Sequence, residues 1–266
     1  MYARAEDVTI YYEEHGRQGA PPLVLLHGFT HTGRISWSEQ LDALGAHYRL
    51  VVPDLRGRGL TDNPGGPSAM NHHQFAHDLS GFCRHLGIER AAFCGYSSGA
   101  FLLLNLAIAR PELVATAVLV SGGFMLPEAT RAAVRWMSVP DLAHSWFGPP
   151  RDPAAPHVPE MADWHQALGA DHWQYVLGDF IAFFSRADAD DFPDPERLSE
   201  IGVPVLVLSG DRDEFFPAEL PLELYRRLPD AELCILPRTE HVLVEQQPDI
   251  FRTIVLEFLA RRYTAV

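Results

Sequence analysis

The chain predicts an α/β fold: a doubly wound, mostly parallel sheet with helices on both faces, broken once by a helical insertion. Three observations carry this. Short apolar, β-rich runs alternate with helical runs through most of the 266 residues, as expected of repeated β-α units with short links. In residues 91–110, AAFCGYSSGAFLLLNLAIAR, an apolar run breaks at Gly95-Tyr96-Ser97-Ser98-Gly99 and continues as an apolar helix. That reads as a buried strand, a very tight turn and a buried helix. Between Phe124 and Pro195 the alternation is lost, over a span too long for a loop and too aromatic for disorder. The expected division is a core of residues 1–123 and 196–266 and a helical cap of residues 124–195.

Residues 8–12 read as a first strand, and 18–22 as a turn into the apolar run 23–26, which ends at His27-Gly28-Phe29. A short helix over 37–44 leads to a β-branched strand over 48–52, ending at Pro53-Asp54. In the loop DLRGRGLT that follows, Gly57-Arg58-Gly59 lacks the third glycine and the helix pattern of a dinucleotide fingerprint. Residues 70–86 place Phe75, Leu79, Phe82 and Leu86 at helical spacing, and Gly87 stops the helix. A strand over 115–120 ends at Ser121-Gly122-Gly123. The insertion gathers Pro149, Pro150, Pro153 and Pro156, and it holds Trp136, Trp146, Trp164 and Trp173, four of the five tryptophans. Alternation then resumes: strand 203–208, turn Gly210-Asp211-Arg212-Asp213, helix 218–228, strand 232–236, a loop through His241 and helix 249–263.

Composition narrows the function classes. A formal charge of −14 repels phosphate backbones and anionic membrane surfaces, so neither nucleic acid nor a membrane is an expected partner. No run approaches the roughly 20 apolar residues of a membrane span. The first residues, MYARAEDVTIYYEEHG, carry acids where a signal peptide needs an apolar core, which favours the cytoplasm. Cys83, Cys94 and Cys234 are odd in number, widely spaced and set among apolar residues, as buried free thiols are. His73 and His77, beside Asp78, lack a third metal ligand and read as an exposed helix face. Asp188, Asp190, Asp191 and Asp194 lack the glycine of a calcium loop and read as a solvated acidic linker. No metal and no cofactor is expected.

The glycines around Ser97 suit a turn in which any Cβ would collide as the helix doubles back, and they force the serine to the tip. A serine hydroxyl becomes a nucleophile when a base removes its proton, and imidazole has the pKa for that near neutrality. The imidazole needs a carboxylate to fix its tautomer and stabilise its cation. Two other predicted strand ends supply these groups: His241 in its loop, and Asp211 or Asp213 in the turn after Gly210. The order serine, acid, histidine is the one an α/β-hydrolase uses.

The stretches LVLLHGF (23–29), Trp37, PDLRGRGLTD (53–62), GYSSGA (95–100), VPVLVLSGDRDEFFP (203–217) and EHVLVEQQPDIF (240–251) together resemble the α/β-hydrolase fold superfamily. The likeness is to its small members with a cap inserted after the strand that follows the nucleophile helix. It covers nearly the whole chain except the cap. The resemblance implies Ser97 as nucleophile, His241 as base and Asp213 as acid, since the family's acid lies three residues after the glycine matched by Gly210. It implies an oxyanion hole from the backbone amides of Phe29 and Ser98.

Ser98 is expected to be catalytic through its amide alone, His27 to brace the oxyanion loop, and Asp54 and Arg56 to scaffold theirs. A serine at 97, rather than an aspartate, argues against the related haloalkane dehalogenases and epoxide hydrolases. Glu240 departs from the family, which commonly has glycine or another small residue before the histidine. The expected activity is cofactor-independent hydrolysis of a small to medium, largely apolar carboxylic ester or lactone through an acyl-enzyme. The same triad also runs C–C bond hydrolysis of vinylogous diketones and perhydrolysis, and a ligand receptor can be built on the fold. Trp136, Trp146, Trp164 and Trp173 are the expected pocket residues from the cap.

Overall fold

The computed structural model describes residues 1–141, 168–169, 172–186 and 191–263. Strands β1 (Tyr2–Ala5) and β2 (Val8–Gly16) form an antiparallel hairpin at one edge of the sheet. β1 is not foreseen from the sequence. Its inward residues are Ala3 and Ala5, which carry little strand preference and leave a weak apolar pattern.

β3 (Pro22–Leu26), β4 (Arg49–Pro53), β5 (Ala91–Tyr96), β6 (Val114–Val120), β7 (Val205–Gly210) and β8 (Ala231–Leu236) complete an eight-stranded sheet of order β1-β2-β4-β3-β5-β6-β7-β8. β2 meets β4 antiparallel, and the neighbours from β4 to β8 run parallel. The chain steps from β3 outward to β4 and then returns to β5 on the other side of β3. At such a reversal a crevice opens beyond the carboxyl ends of the strands. The residues there are His27 and Gly28 after β3, and Ser97 after β5.

The helices among the described residues are α1 (Gly33–Trp37), α2 (Leu41–Gly45), α3 (His72–His85), α4 (Ser98–Ala109), α5 (Glu128–Trp136), α6 (His172–Arg186), α7 (Glu219–Arg227), α8 (Leu243–Gln246) and α9 (Pro248–Arg262). They cover both faces of the sheet, which is why its central strands read as unbroken apolar runs. Along β3, Leu23 and Leu25 join the cluster containing Trp37, Leu44, Phe251 and Phe258, while Val24 and Leu26 join the one containing Phe75, Phe82, Phe101 and Leu103. α4 is buried from Ser98 to Ala107, packed on β5, β6 and α3. It has no solvent face to be polar, so its sequence lacks amphipathic periodicity.

The helix expected over 37–44 is instead α1, a 3-10 turn at Ser38–Gln40 and α2. Its start was hidden because Gly33–Ser36 carry no apolar repeat; the Thr32 hydroxyl caps the helix by accepting from the Ile35 amide at 3.2 Å. α3 begins in the same way at Asn71, whose side chain accepts from the Gln74 amide at 2.8 Å, and Gly87 at φ 67° ends it. The expected loop through His241 runs straight into the short helix α8.

Between β6 and β7, α5 and α6 pack on one another, and Phe180, Phe183 and Phe184 of α6 join the α3/α4 core cluster. Each such ring, once buried, contributes about 1.5–3 kcal/mol. The proline cluster at 149–156 and Asp188 and Asp190 lie outside the described residues. No described helix is long and apolar enough to cross a membrane.

Candidate active site

The turn at 95–99 is held by backbone proximity. A Cβ on Gly95 would collide with the carbonyl of Gly99, and one on Gly99 would sit 2.5 Å from the Leu26 carbonyl oxygen. Ser97 itself adopts φ 53° and ψ −114°, a sparsely populated conformation for a non-glycine residue that costs roughly 1–3 kcal/mol. Its amide donates to the Val120 carbonyl at 2.8 Å and its carbonyl accepts from Ala100 at 2.9 Å, so both sides of the strained residue are fixed.

Three strand ends converge on this tip. The Ser97 hydroxyl donates to His241 Nε2 at 3.0 Å, and His241 Nδ1–H donates to Asp213 Oδ2 at 3.0 Å. Asp213 Oδ1 accepts from the amides of Phe215 and Phe216, each at 2.9 Å, which leaves Oδ2 aimed at the imidazole. Asp211, the other candidate in that turn, accepts from the Thr239 amide at 3.2 Å and so ties the two loops together. His241 is 6% exposed, and Phe215, Tyr96 and Phe216 pack against its ring. Burial disfavours its cation, but the Asp213 charge and hydrogen bond, with the charges of Glu214 and Glu245, outweigh burial and raise its pKa above the ordinary histidine value. Burial also raises Glu214, and it pushes Glu245 up to about 8.

Phe29 lines the same cleft as Ser97, and Ser98 follows Ser97 as the first residue of α4. The Gly28 carbonyl, on the same peptide unit as the Phe29 amide, accepts from His27 Nδ1–H at 2.7 Å and from the His31 amide at 3.1 Å. Because a trans peptide points its N–H opposite its C=O, those two bonds fix the direction of the Phe29 amide. His27 Nε2 in turn accepts from the Leu55 amide at 2.8 Å, which assigns the proton to Nδ1 and makes the ring a brace. The Ser98 hydroxyl donates to His72 Nε2 at 2.8 Å while His72 Nδ1–H donates to the Asp191 carbonyl at 2.9 Å. Burial lowers the His72 pKa to about 4, so that ring stays neutral.

Asp54 accepts from the amides of Gly33 and Leu60, and Arg56 pairs with Asp78 at 2.7 Å and with Asp7 at 2.8 Å. Both hold loops together. His73 and His77 are exposed, whereas Asp78 beside them is buried under Arg56. Cys83 and Cys94 are buried and Cys234 is half-buried, all as free thiols.

A cleft open to solvent lies over Ser97. Phe29, Phe101, Phe180, Phe184, Phe215 and Phe216 line it, with Leu126 and Tyr96. Of the four expected cap tryptophans, Trp136 and Trp173 are not among these described lining residues. Trp136 is 86% exposed at the end of α5, and Trp173 packs half-buried against the core. Trp146 and Trp164 lie outside the described residues. The phenylalanines had a signal that went unread: Phe180, Phe183 and Phe184 share one helix face, and Phe215-Phe216 follow Asp213 directly. Among the described lining residues His241 is the only one with a titratable group near neutrality, and none is Asp, Glu, Lys or Arg.

A family model for the alpha/beta hydrolase fold matches residues 21–146. A protein of Agrobacterium fabrum that carries the name "Putative carbamate hydrolase RutD" is 30% identical over 94% of this chain and 98% of its own. The 2-hydroxy-6-oxononadienedioate/2-hydroxy-6-oxononatrienedioate hydrolase of Burkholderia vietnamiensis is also 30% identical, over 96% of this chain and 92% of its own. Among solved structures, the enol-lactonase of Burkholderia xenovorans superposes with a TM-score of 0.76 at 23% identity, covering 98% of this chain and all of that one. At that identity the likeness is one of fold.

Proposed function

Since the chain belongs to the α/β-hydrolase family and is a hydrolase, we propose that it is a serine hydrolase that cleaves a small to medium, largely apolar carboxylic ester or lactone through an acyl-enzyme. The observation that carries this reading is the unbroken hydrogen-bonded relay from Ser97 through His241 to Asp213, opening on a cleft of aromatic rings. Ser97 attacks the carbonyl carbon as His241 takes its proton. The amides of Phe29 and Ser98 receive the oxyanion, each worth ~3 kcal/mol of barrier. His241 then protonates the leaving alcohol. Water activated by the same imidazole attacks the acyl-enzyme and releases the acid. Asp213 keeps the Nδ1–H tautomer and balances the imidazolium.

A wall of six phenylalanines suits a neutral, apolar acyl group, whose burial contributes about 25 cal/mol per Å². Residues 1–123 and 196–266 serve as the core and 124–195 as a cap, working on a small molecule in the cytoplasm. The second reading is hydrolysis of a C–C bond, favoured by the identity to the oxononadienedioate hydrolase. The test is a panel of aryl esters of graded acyl length, lactones, a carbamate and a vinylogous diketone, with Ser97→Ala beside the wild type. Fastest turnover is expected on a neutral ester or lactone, and none by Ser97→Ala. Faster turnover of the diketone would replace the first reading with the second, and full activity in Ser97→Ala would end both.

A further inference from the structure

Arg58 is buried to 2% exposure beside the oxyanion loop, where a cation needs a reason. Its Nε–H donates to the Phe29 carbonyl at 2.6 Å, and its guanidinium lies 4.4 Å from the centre of the Phe29 ring. Nη1 donates to its neighbour's carbonyl, Gly57 O, at 2.8 Å and to Asp179 on α6 at 3.0 Å. Phe29 is thus gripped three ways: His27 and His31 hold the peptide before it, Arg58 holds the peptide after it, and Arg58 with Phe183 covers its ring.

We propose that Arg58, held by Asp179, is a positioning residue that steadies Phe29 as an oxyanion donor, so that breaking the Arg58–Asp179 pair weakens transition-state stabilisation more than substrate binding. This rests on the serine-hydrolase reading above. The physical reason is the fork of the guanidinium. Its planar donors reach the Phe29 carbonyl and the Asp179 carboxylate together, which an ammonium on a flexible stem does not do. Asp179 supplies the countercharge, and without it a buried cation would be left uncompensated and would leave its place under Phe29. That frees the Phe29–Thr30 peptide, and the Phe29 amide, joined to it through the Phe29 Cα, is then held on one side only, by the bonds of His27 and His31 to the Gly28 carbonyl. A misplacement of about 1 Å in such a donor costs on the order of 100-fold in rate. Arg58 itself is not among the described residues that line the cleft, so its loss removes no direct contact with a ground-state substrate there.

The test compares wild type, Asp179→Asn, Arg58→Lys and, as a control on the exposed face of α6, Gln174→Ala. For each, kcat and KM are measured on one aryl ester, with the affinity for an aryl boronic acid whose boron takes the Ser97 hydroxyl to form a tetrahedral adduct. Thermal melting reports folding. In Asp179→Asn, kcat is expected to fall about tenfold with KM within about twofold, and boronic acid affinity to fall by the same tenfold. Arg58→Lys should lose at least as much, and Gln174→Ala nothing. If Arg58→Lys fails to fold, Asp179→Asn, isosteric and partly solvated, decides alone. Unchanged kcat and boronic acid affinity in folded Asp179→Asn would overturn the proposal, and so would a rise in KM without loss of boronic acid affinity. Ser97→Ala in the same series separates the two ideas. If it is inactive while Asp179→Asn behaves as wild type, only the role of Arg58 falls. If it stays active, the serine-hydrolase reading falls first.

Discussion

The turn at residues 95–99 and the phenylalanine face of α6 line the same cleft, and they are held by different physics. The turn is a contact of backbone on backbone: Gly95 against Gly99, Gly99 against Leu26. Neither partner can yield, because both belong to the sheet and its central helix. The α6 face is a contact of rings on rings, with Phe29 stacking on Phe183 at 5.2 Å and meeting Phe180 and Phe184 edge-on. Rings can repack, so this side can change its shape while the chemistry beneath persists. The difference separates what the protein does from what it does it to.

The largest effect tests the chemical side. Ser97→Ala should lower kcat on an activated aryl ester by at least about 10⁴-fold, while Ser98→Ala, which keeps its amide, should retain a substantial fraction. Steady-state rates on purified protein decide it. Next, Gly99→Ala should cost about 100-fold or more in kcat and about 3 kcal/mol or more in a denaturant melt, because its Cβ meets a carbonyl that cannot move. A Gly99→Ala protein with wild-type stability would erase the contrast with α6.

Phe184→Ala should be gentler on catalysis: a kcat loss within about tenfold, with the preferred acyl chain lengthened, at a cost of about 3 kcal/mol in stability. An acyl-length series read as kcat/KM shows the shift, and an unchanged profile would mean that α6 does not shape the acyl site. The smallest effect is electrostatic. His241 must be neutral to act as base, so kcat/KM falls as pH drops through its pKa, and the inflection should lie above the ordinary histidine value because Asp213 and Glu214 favour its cation. Glu214→Gln removes one of those charges and should move the inflection down by a few tenths of a pH unit. An unchanged inflection would show that the Glu214 carboxyl does not act on His241 as a charge.

Much of the molecule was legible in residue order. The alternation of strands and helices, the turn around Ser97, and the presence of an acid and a histidine at later strand ends all follow from local rules: burial on both faces of a parallel sheet, and glycine wherever two backbones must nearly touch. The weak spots had local causes as well. β1 escaped because its inward residues are two alanines, and the start of α1 escaped because it is capped by Thr32 rather than marked by an apolar repeat.

What only the tertiary structure decided is which groups meet. Residue type alone does not separate Asp211 from Asp213, and the resemblance favours Asp213; the fold turns Asp213 to His241 and Asp211 to Thr239. Among the described residues, phenylalanines from α4, α6 and the loop after Asp213 line the cleft, and Arg58 reaches across from a loop to Asp179. The reason lies in range. Strand, helix and tight turn are set by neighbours a few residues apart, whereas a side chain's partner across the cleft depends on how separate elements pack, and no local pattern in the chain encodes that.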